Sequence, residues 1–137
     1  ARAAPPGGGG DGEGGMMWLE RALRRAVSSL PSPTRENVLL KAFAVVNMPL
    51  ISYVNPTIES ISDKSVAVRI AHTRRSTGHV GGNMYIGALV VGFDIAGGFL
   101  AYEKSVETPV TLIFKSLAVD FKRRTEGDVI FECHEGE

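Results

Sequence analysis

An α+β fold is predicted for this chain, with one long apolar helix enclosed by an antiparallel sheet. Residues 82–102 are apolar almost throughout and contain a single charge, Asp94. A helix that is apolar on all sides is normally covered by other structure or by lipid. The flanking segments alternate apolar and polar residues, which is the pattern of a sheet with one buried face. Asp94 needs a functional or structural reason, because a buried carboxylate without a partner is costly.

The composition restricts the class of protein. The 137 residues are enough for one domain with a substantial core. Lys and Arg together number 15, as do Asp and Glu, so a zero net charge gives no general attraction to nucleic acid or to acidic lipid. Cys133 is the only cysteine, which favours a reducing compartment, either the cytoplasm or an organelle matrix. Residues 1–15 are rich in Gly and Pro and predict a disordered tail.

Two helices are predicted after this tail, within residues 16–48. Residues 17–30 have apolar side chains at helical spacing. Residues 34–46 form the second helix, and Thr34 is its predicted N-cap. Its apolar stripe consists of Val38, Leu39, Phe43 and Val46. Pro49 closes this helix, and the chain is expected to leave it in extended form.

Strands are predicted on both sides of the apolar segment. Residues 57–61 and 65–74 form two strands around a turn at residues 62–64, and the second alternates strictly. Residues 73–82 form a Gly-rich basic loop. Residues 110–122 and 129–134 return to strand character. The chain stops soon after the last strand begins, so we expect the C-terminal strands of the sheet to be missing.

The residues argue against three other interpretations of the sequence. A membrane span is opposed by Asp94 in mid-segment, where insertion is costly. A phosphate loop is opposed by Ala88 and Leu89, which follow Gly87 where a Walker motif requires Lys and Ser or Thr. No metal site is predicted, because the three histidines lack ligand-like spacing with Cys133 or the carboxylates.

The apolar segment resembles the hotdog-fold acyl-CoA thioesterases, in which a long helix is wrapped by a curved antiparallel sheet. Enzymes of the phenylacetate-pathway type open this helix with N-x-x-G-x-x-H-G-G and place an Asp nine residues after the His. Here the matching run is His79-x-x-Gly82-x-x-Tyr85-Ile86-Gly87, and Asp94 follows nine residues after Tyr85. Gly82, Gly87 and Asp94 match the pattern, whereas its Asn, His and first Gly are replaced by His79, Tyr85 and Ile86.

Two further stretches extend the resemblance over residues 49–137, which we treat as a hotdog domain without its C-terminal strands. MYIGALVVGFDIAGG is similar to a branch of the superfamily described as potential thioester hydrolases. FKRRTEGDVIF is similar to the strand-turn-strand that follows the helix. The resemblance implies an acyl-CoA thioesterase with no cofactor, coenzyme A being part of the substrate. It also implies a homodimer or a dimer of dimers.

Asp94, Gly87 and Tyr85 are the candidate catalytic residues. Thioester hydrolysis requires a base and donors to the developing oxyanion. Asp94 is the candidate base, and we expect the apolar residues beside it to bury it. The backbone N–H of Gly87 is the candidate oxyanion donor. The two residues lie about 10 Å apart along one helix, so a site that uses both needs the antiparallel helix of a second subunit.

Tyr85 and the remaining candidate residues each have a second interpretation. Tyr85 and Asn83 either orient the thioester or serve as a packed aromatic and an N-cap. His79 and Gly82 lie on the loop and are expected to line the substrate site. The candidates for binding the CoA phosphates are Arg74, Arg75, Arg123 and Arg124, which are otherwise ordinary charges at strand ends. The alternative function is a non-catalytic hotdog module that binds acyl thioesters or dimerises, because Tyr85 and Ile86 break the motif.

Overall fold

The computed structural model of the chain describes residues 21–78, 82–105, 113 and 115–134. Its helices are α1 (residues 21–26), α2 (Thr34–Asn47), α3 (Pro49–Val54) and α4 (Ile86–Ser105), and its strands are β1 (Thr57–Ser62), β2 (Ser65–Ile70) and β3 (Val129–His134). The predicted α+β class is therefore confirmed. The predicted tail, at residues 1–15, lies outside the described residues.

The three strands form one antiparallel sheet in the order β1-β2-β3. β1 and β2 make a hairpin in which Ser62 pairs with Ser65, and β3 pairs along the other edge of β2. Val66, Val68 and Ile70 are at most 1% exposed, as their alternation predicts. β2 ends at Ile70 rather than at residue 74.

The loop after β2 is held by Ser76, which is fully buried. Its hydroxyl donates to the carbonyl oxygen of Ala71 at 2.6 Å and accepts from the backbone N–H of Thr73 at 2.9 Å. These bonds turn the chain away from the sheet, because each satisfies a backbone group that a longer strand would have paired.

Helix α4 crosses the sheet and covers one face of it. Its buried side chains are Ala88, Leu89, Val91, Ile95, Ala96 and Leu100. Gly92 lies so close to the sheet that a Cβ placed on it would overlap the ring of Phe131 on β3. That ring also packs edge-on against Phe93, with the ring centroids 5.0 Å apart.

The opposite side of α4 is exposed in the single chain. Ile86, Val90 and Phe93 are 54%, 40% and 36% exposed, and Asp94 lies among them in an exposed position. The prediction that this helix is enclosed is therefore not met by the described residues. The helix packs on one face of the sheet formed by the three described strands, so only the side of the helix that meets β2 and β3 is covered.

Helix α2 has the predicted position but neither the predicted cap nor the predicted buried stripe. Pro33 occupies the N-cap position, and no side chain caps the helix there. Leu40 and Ala44 face the core, whereas Val38, Phe43 and Val46 of the predicted stripe are 37% to 58% exposed. α2 packs mainly against α3 and β1, so only the side that meets them is buried.

The segment after α2 is the short helix α3, so the prediction of an extended connection is wrong. Pro49 stands at its first position, where the missing N–H of proline costs no hydrogen bond. Ile51 and Val54 are buried one turn apart. The helix ends at Val54, and the C-cap residue after it, Asn55, has a left-handed φ of 55°.

Asn37 attaches α2 to the sheet through its side-chain amide. Its Oδ1 accepts from the backbone N–H of Ile58 at 2.7 Å, and its Nδ2 donates to the Ile58 carbonyl oxygen at 2.8 Å. Nδ2 also donates to the carbonyl oxygen of Pro33 at 3.1 Å. Beside it, burial raises the pKa of Glu36, but backbone and Arg35 hydrogen bonds outweigh this effect and leave that pKa lowered.

The strand predicted over residues 110–122 is wrong where the structure describes it. Residue 113 and residues 115–122 have no strand structure, and the rest of that segment lies outside the described residues. Leu117 and Phe121 are 43% and 55% exposed. An alternating pattern favours a strand through burial of one face, and these side chains have no surface that buries them.

Candidate functional site

The start of α4 is fixed by two loops that bond to the residues immediately before it. The backbone N–H of Tyr85 donates to the carbonyl oxygen of Ser76 at 2.8 Å. The N–H of Met84 donates to the carbonyl oxygen of Thr125 at 3.1 Å and also to its hydroxyl. Gly82 precedes them with a left-handed φ of 65°, a conformation that glycine adopts without strain.

Tyr85 caps α4 with its backbone and covers Gly87 with its ring. Its carbonyl oxygen accepts from the N–H of Ala88 at 2.9 Å and from that of Leu89 at 3.2 Å. A Cβ placed on Gly87 would lie 2.6 Å from Cε1 of Tyr85. The N–H of Gly87 donates to no group among the described residues, so the predicted oxyanion donor is unpaired at a helix N-terminus. Gly87 is also the place where the tyrosine side chain fits.

Asp94 does not have the buried environment that its apolar neighbours predict. It lies on the exposed side of α4 in the single chain, seven residues after Gly87. Seven residues are nearly two helical turns, so both residues lie on nearly the same face, about 10 Å apart. Within one chain the two candidate groups therefore cannot touch one carbonyl.

Asn83 is not the helix cap suggested as its second interpretation, because α4 begins at Ile86. Its carbonyl oxygen accepts from the N–H of Gly78 at 2.8 Å. Its side-chain Oδ1 is buried without a partner among the described residues. His79, the other loop candidate, lies outside the described residues.

The arginine pairs converge on the start of α4 through the backbone. Arg74 and Arg75 precede Ser76, which bonds to Tyr85, and Arg123 and Arg124 precede Thr125, which bonds to Met84. All four arginines are exposed. The guanidinium carbon of Arg75 lies 5.7 Å from the ring centroid of Tyr53 on α3, so this arginine already has an aromatic partner.

Sequence reasoning missed a group of polar residues that supports this loop. Nε2 of His72 lies 2.6 Å from the carbonyl oxygen of Gly82. Asp128 accepts from the backbone N–H of His72 at 2.8 Å and from Nη1 of Arg69 at 2.9 Å. These bonds hold the pKa of Asp128 below its usual value and raise that of Arg69. Asp128 lies more than 50 residues after Arg69 and His72 in the sequence and is brought beside them by the pairing of Ile70 with Val129, so no spacing in the sequence indicates the group.

The part of the chain that the structure describes has neither a metal-binding cluster nor a membrane-spanning helix. No cluster of three or more His, Cys, Asp or Glu side chains in this part of the chain is arranged to hold a metal ion. Likewise, the described helices include none with the length and apolarity needed to cross a membrane.

These elements define an α+β domain in which a long helix packs on an antiparallel sheet and its N-terminus is bound by two basic loops. The chain belongs to the family described as a domain of unknown function, DUF4442, which matches residues 36–135. No curated protein matches its sequence. A crystal structure described as a genomics target is similar, with a TM-score of 0.55 and 15% identity over 82% of this chain and 71% of that one. This likeness concerns the fold alone.

Proposed function

We propose that this chain is a hotdog-type acyl-CoA thioester hydrolase whose active unit is a homodimer. The observation that carries the proposal is the exposed side of α4, where Asp94 stands among Ile86, Val90 and Phe93. A carboxylate amid exposed apolar side chains on a long helix fits a face that a second copy covers. An antiparallel second α4 would bring Asp94 of one subunit towards Gly87 of the other.

In this site the carboxylate of Asp94 takes a proton from water while the water oxygen attacks the thioester carbonyl carbon. The unpaired N–H of Gly87 and the positive end of the helix stabilise the oxyanion. The C–S bond then breaks, and the proton passes from Asp94 to the leaving thiolate. Tyr85 and Asn83 orient the thioester, and Gly82 and His79 line its site. Arg74, Arg75, Arg123 and Arg124, on the loops bonded to the start of α4, bind the CoA phosphates.

The first experiment measures hydrolysis of an acyl-CoA panel by the wild type and by Asp94→Asn. The amide cannot accept the proton, so a loss of roughly 10²–10⁴-fold in kcat is expected. Asp63→Asn, in the exposed β1–β2 turn, is the matched control and should keep full activity. Hydrolysis by Asp94→Asn at the wild-type rate would refute the assignment.

The second experiment tests whether each site is shared between subunits. Gly87→Pro removes the N–H within the first turn of α4, where a proline costs the helix no hydrogen bond, although its Cβ displaces the ring of Tyr85. If each site combines Gly87 of one subunit with Asp94 of the other, an equal mixture of inactive Gly87→Pro and inactive Asp94→Asn should recover about a quarter of the activity through heterodimers. A site contained within one subunit would recover nothing.

A non-catalytic module that binds acyl thioesters is the second candidate. The contact between Tyr85 and Gly87 favours it, because the ring occupies the space beside the Cα of Gly87, where the hydrolases of the resemblance carry no tyrosine. Wild-type protein that binds acyl-CoA in calorimetry but hydrolyses no chain length would establish this function instead. Tyr85→Gly would then test whether removal of the ring restores hydrolysis.

A further inference from the structure

We propose that the exposed surface of α2 and α3 is a docking surface for an anionic membrane. The apolar side chains of this surface are separate from the face that carries Asp94, but it shares Arg74 and Arg75 with the proposed CoA site. It presents Phe43, Val45, Val46, Met48, Leu50 and Tyr53, which are between 46% and 66% exposed. Leu40, Ala44, Ile51 and Val54 anchor the same two helices in the core, so the exposed side chains stand on a fixed support.

Cations border this apolar surface directly. Arg75 lies over the ring of Tyr53. Lys41 lines a groove of about 140 Å³ together with Val45 and Ile51. Arg74 and Arg75 line a second groove of about 300 Å³ beside Val54, and Asn55 belongs to both grooves. No carboxylate lines either groove.

The charge of the whole N-terminal helical region has the same sign. Residues 16–58 contain five cations, three of them in α1, and two carboxylates, Glu20 and Glu36, which gives a net charge of +3. Glu36 is buried and bonded to Arg35 at 2.7 Å. The net charge of the complete chain is zero, so positive charge is concentrated in the region that exposes the apolar side chains.

Apolar side chains bordered by Lys and Arg fit the boundary between anionic headgroups and acyl chains. Tyr53 adds an aromatic ring with a polar end, which is favoured at that depth. A second copy fits less well, because a two-fold contact would bring Lys41, Arg74 and Arg75 towards the same cations of its partner. Among the possible occupants, an anionic lipid surface satisfies both the apolar and the charged groups.

The test is co-flotation of the full chain with vesicles of phosphatidylcholine alone and with vesicles that also contain phosphatidylglycerol. Binding to the anionic vesicles only, weakened by added salt, is expected. Lys41→Gln/Arg75→Gln should reduce the partition coefficient roughly 30-fold, at about five-fold for each cation. Val45→Ser/Leu50→Ser should reduce it at least about ten-fold.

Matched controls distinguish binding through this surface from non-specific electrostatic or hydrophobic binding elsewhere on the protein. Lys64→Gln removes an exposed cation from the β1–β2 turn, and Ile130→Ser removes an apolar side chain that is 56% exposed on β3. Both should bind like the wild type, and far-UV circular dichroism should show that every variant is folded. The proposal fails if the wild type binds no vesicles, if it binds neutral and anionic vesicles equally, or if the controls lose as much binding as the paired variants.

Discussion

The contact between Gly92 and Phe131 makes the position of α4 on the sheet testable by adding one methyl group. Gly92→Ala places a Cβ within the ring of Phe131, which is 4% exposed and held edge-on by Phe93. Gly98→Ala makes the same change on the exposed side of α4, where nothing lies within 4 Å of the new Cβ. The gain in helix propensity is about 1 kcal/mol at either position, so it cancels between the two variants.

The difference between the variants therefore measures the overlap itself. Overpacking a core costs about 1–3 kcal/mol, so Gly92→Ala should be less stable than Gly98→Ala by that amount. Urea unfolding at one protein concentration should place the two midpoints roughly 1 M apart, given a typical slope for a small protein. Gly98→Ala should be at least as stable as the wild type.

A double variant identifies the partner. Phe131→Leu removes the ring atoms that the new Cβ meets, so Gly92→Ala should cost less in the Phe131→Leu background than in the wild type. The expected coupling free energy is about 0.5–3 kcal/mol. Equal midpoints for Gly92→Ala and Gly98→Ala would show that α4 does not approach β3 as described.

Two further perturbations address the connections of the sheet. Asn37→Ala leaves the backbone N–H and carbonyl of buried Ile58 without their side-chain partners. It should therefore lower the free energy of unfolding, measured in urea, by about 2–3 kcal/mol. Asn47→Ala, which loses one exposed hydrogen bond, is the control. Asp128 has a pKa below its usual value in the folded state, so its stabilising effect is present at neutral pH and is lost as the pH falls below about 4. The stability difference between the wild type and Asp128→Asn should therefore shrink in acid, whereas a constant difference would contradict this account.

The buried positions of β2 were predictable because one local pattern determines them. Val66, Val68 and Ile70 alternate with more polar or smaller residues, and all three are buried. The apolar run of residues 82–102 likewise indicated a long helix, although its composition did not reveal which side the sheet covers. An apolar composition shows that a helix has side chains to bury, but not which surface is available to bury them. In α2, likewise, apolar side chains such as Phe43 and Val46 remain exposed.

The misses have physical causes as well. Helix α3 was not predicted because six residues are too few to show helical periodicity. Pro49 was expected to close α2, whereas it stands at the first position of α3. The predicted burial of Asp94 was wrong for the single chain because it was inferred from the sequence neighbours Val90, Val91 and Phe93. Val91 is buried, but Val90 and Phe93 are exposed with Asp94. The group formed by His72, Arg69 and Asp128 depends on the pairing of β2 with β3, which no local pattern encodes.

That pairing also bears on the order in which the chain assembles. Ser62 and Ser65 close the β1–β2 hairpin over a few residues, whereas Ile70 meets Val129 only after the intervening chain has been brought back. Closing the longer loop costs roughly 2 kcal/mol more in chain entropy. The hairpin can therefore form early and β3 must dock late, so amide hydrogens of β3 should exchange with solvent before those shared by β1 and β2. The docking of β3 therefore completes the fold, because β3 contacts both α4 and the hairpin and is preceded by one of the basic loops. These parts then unfold together as one cooperative unit.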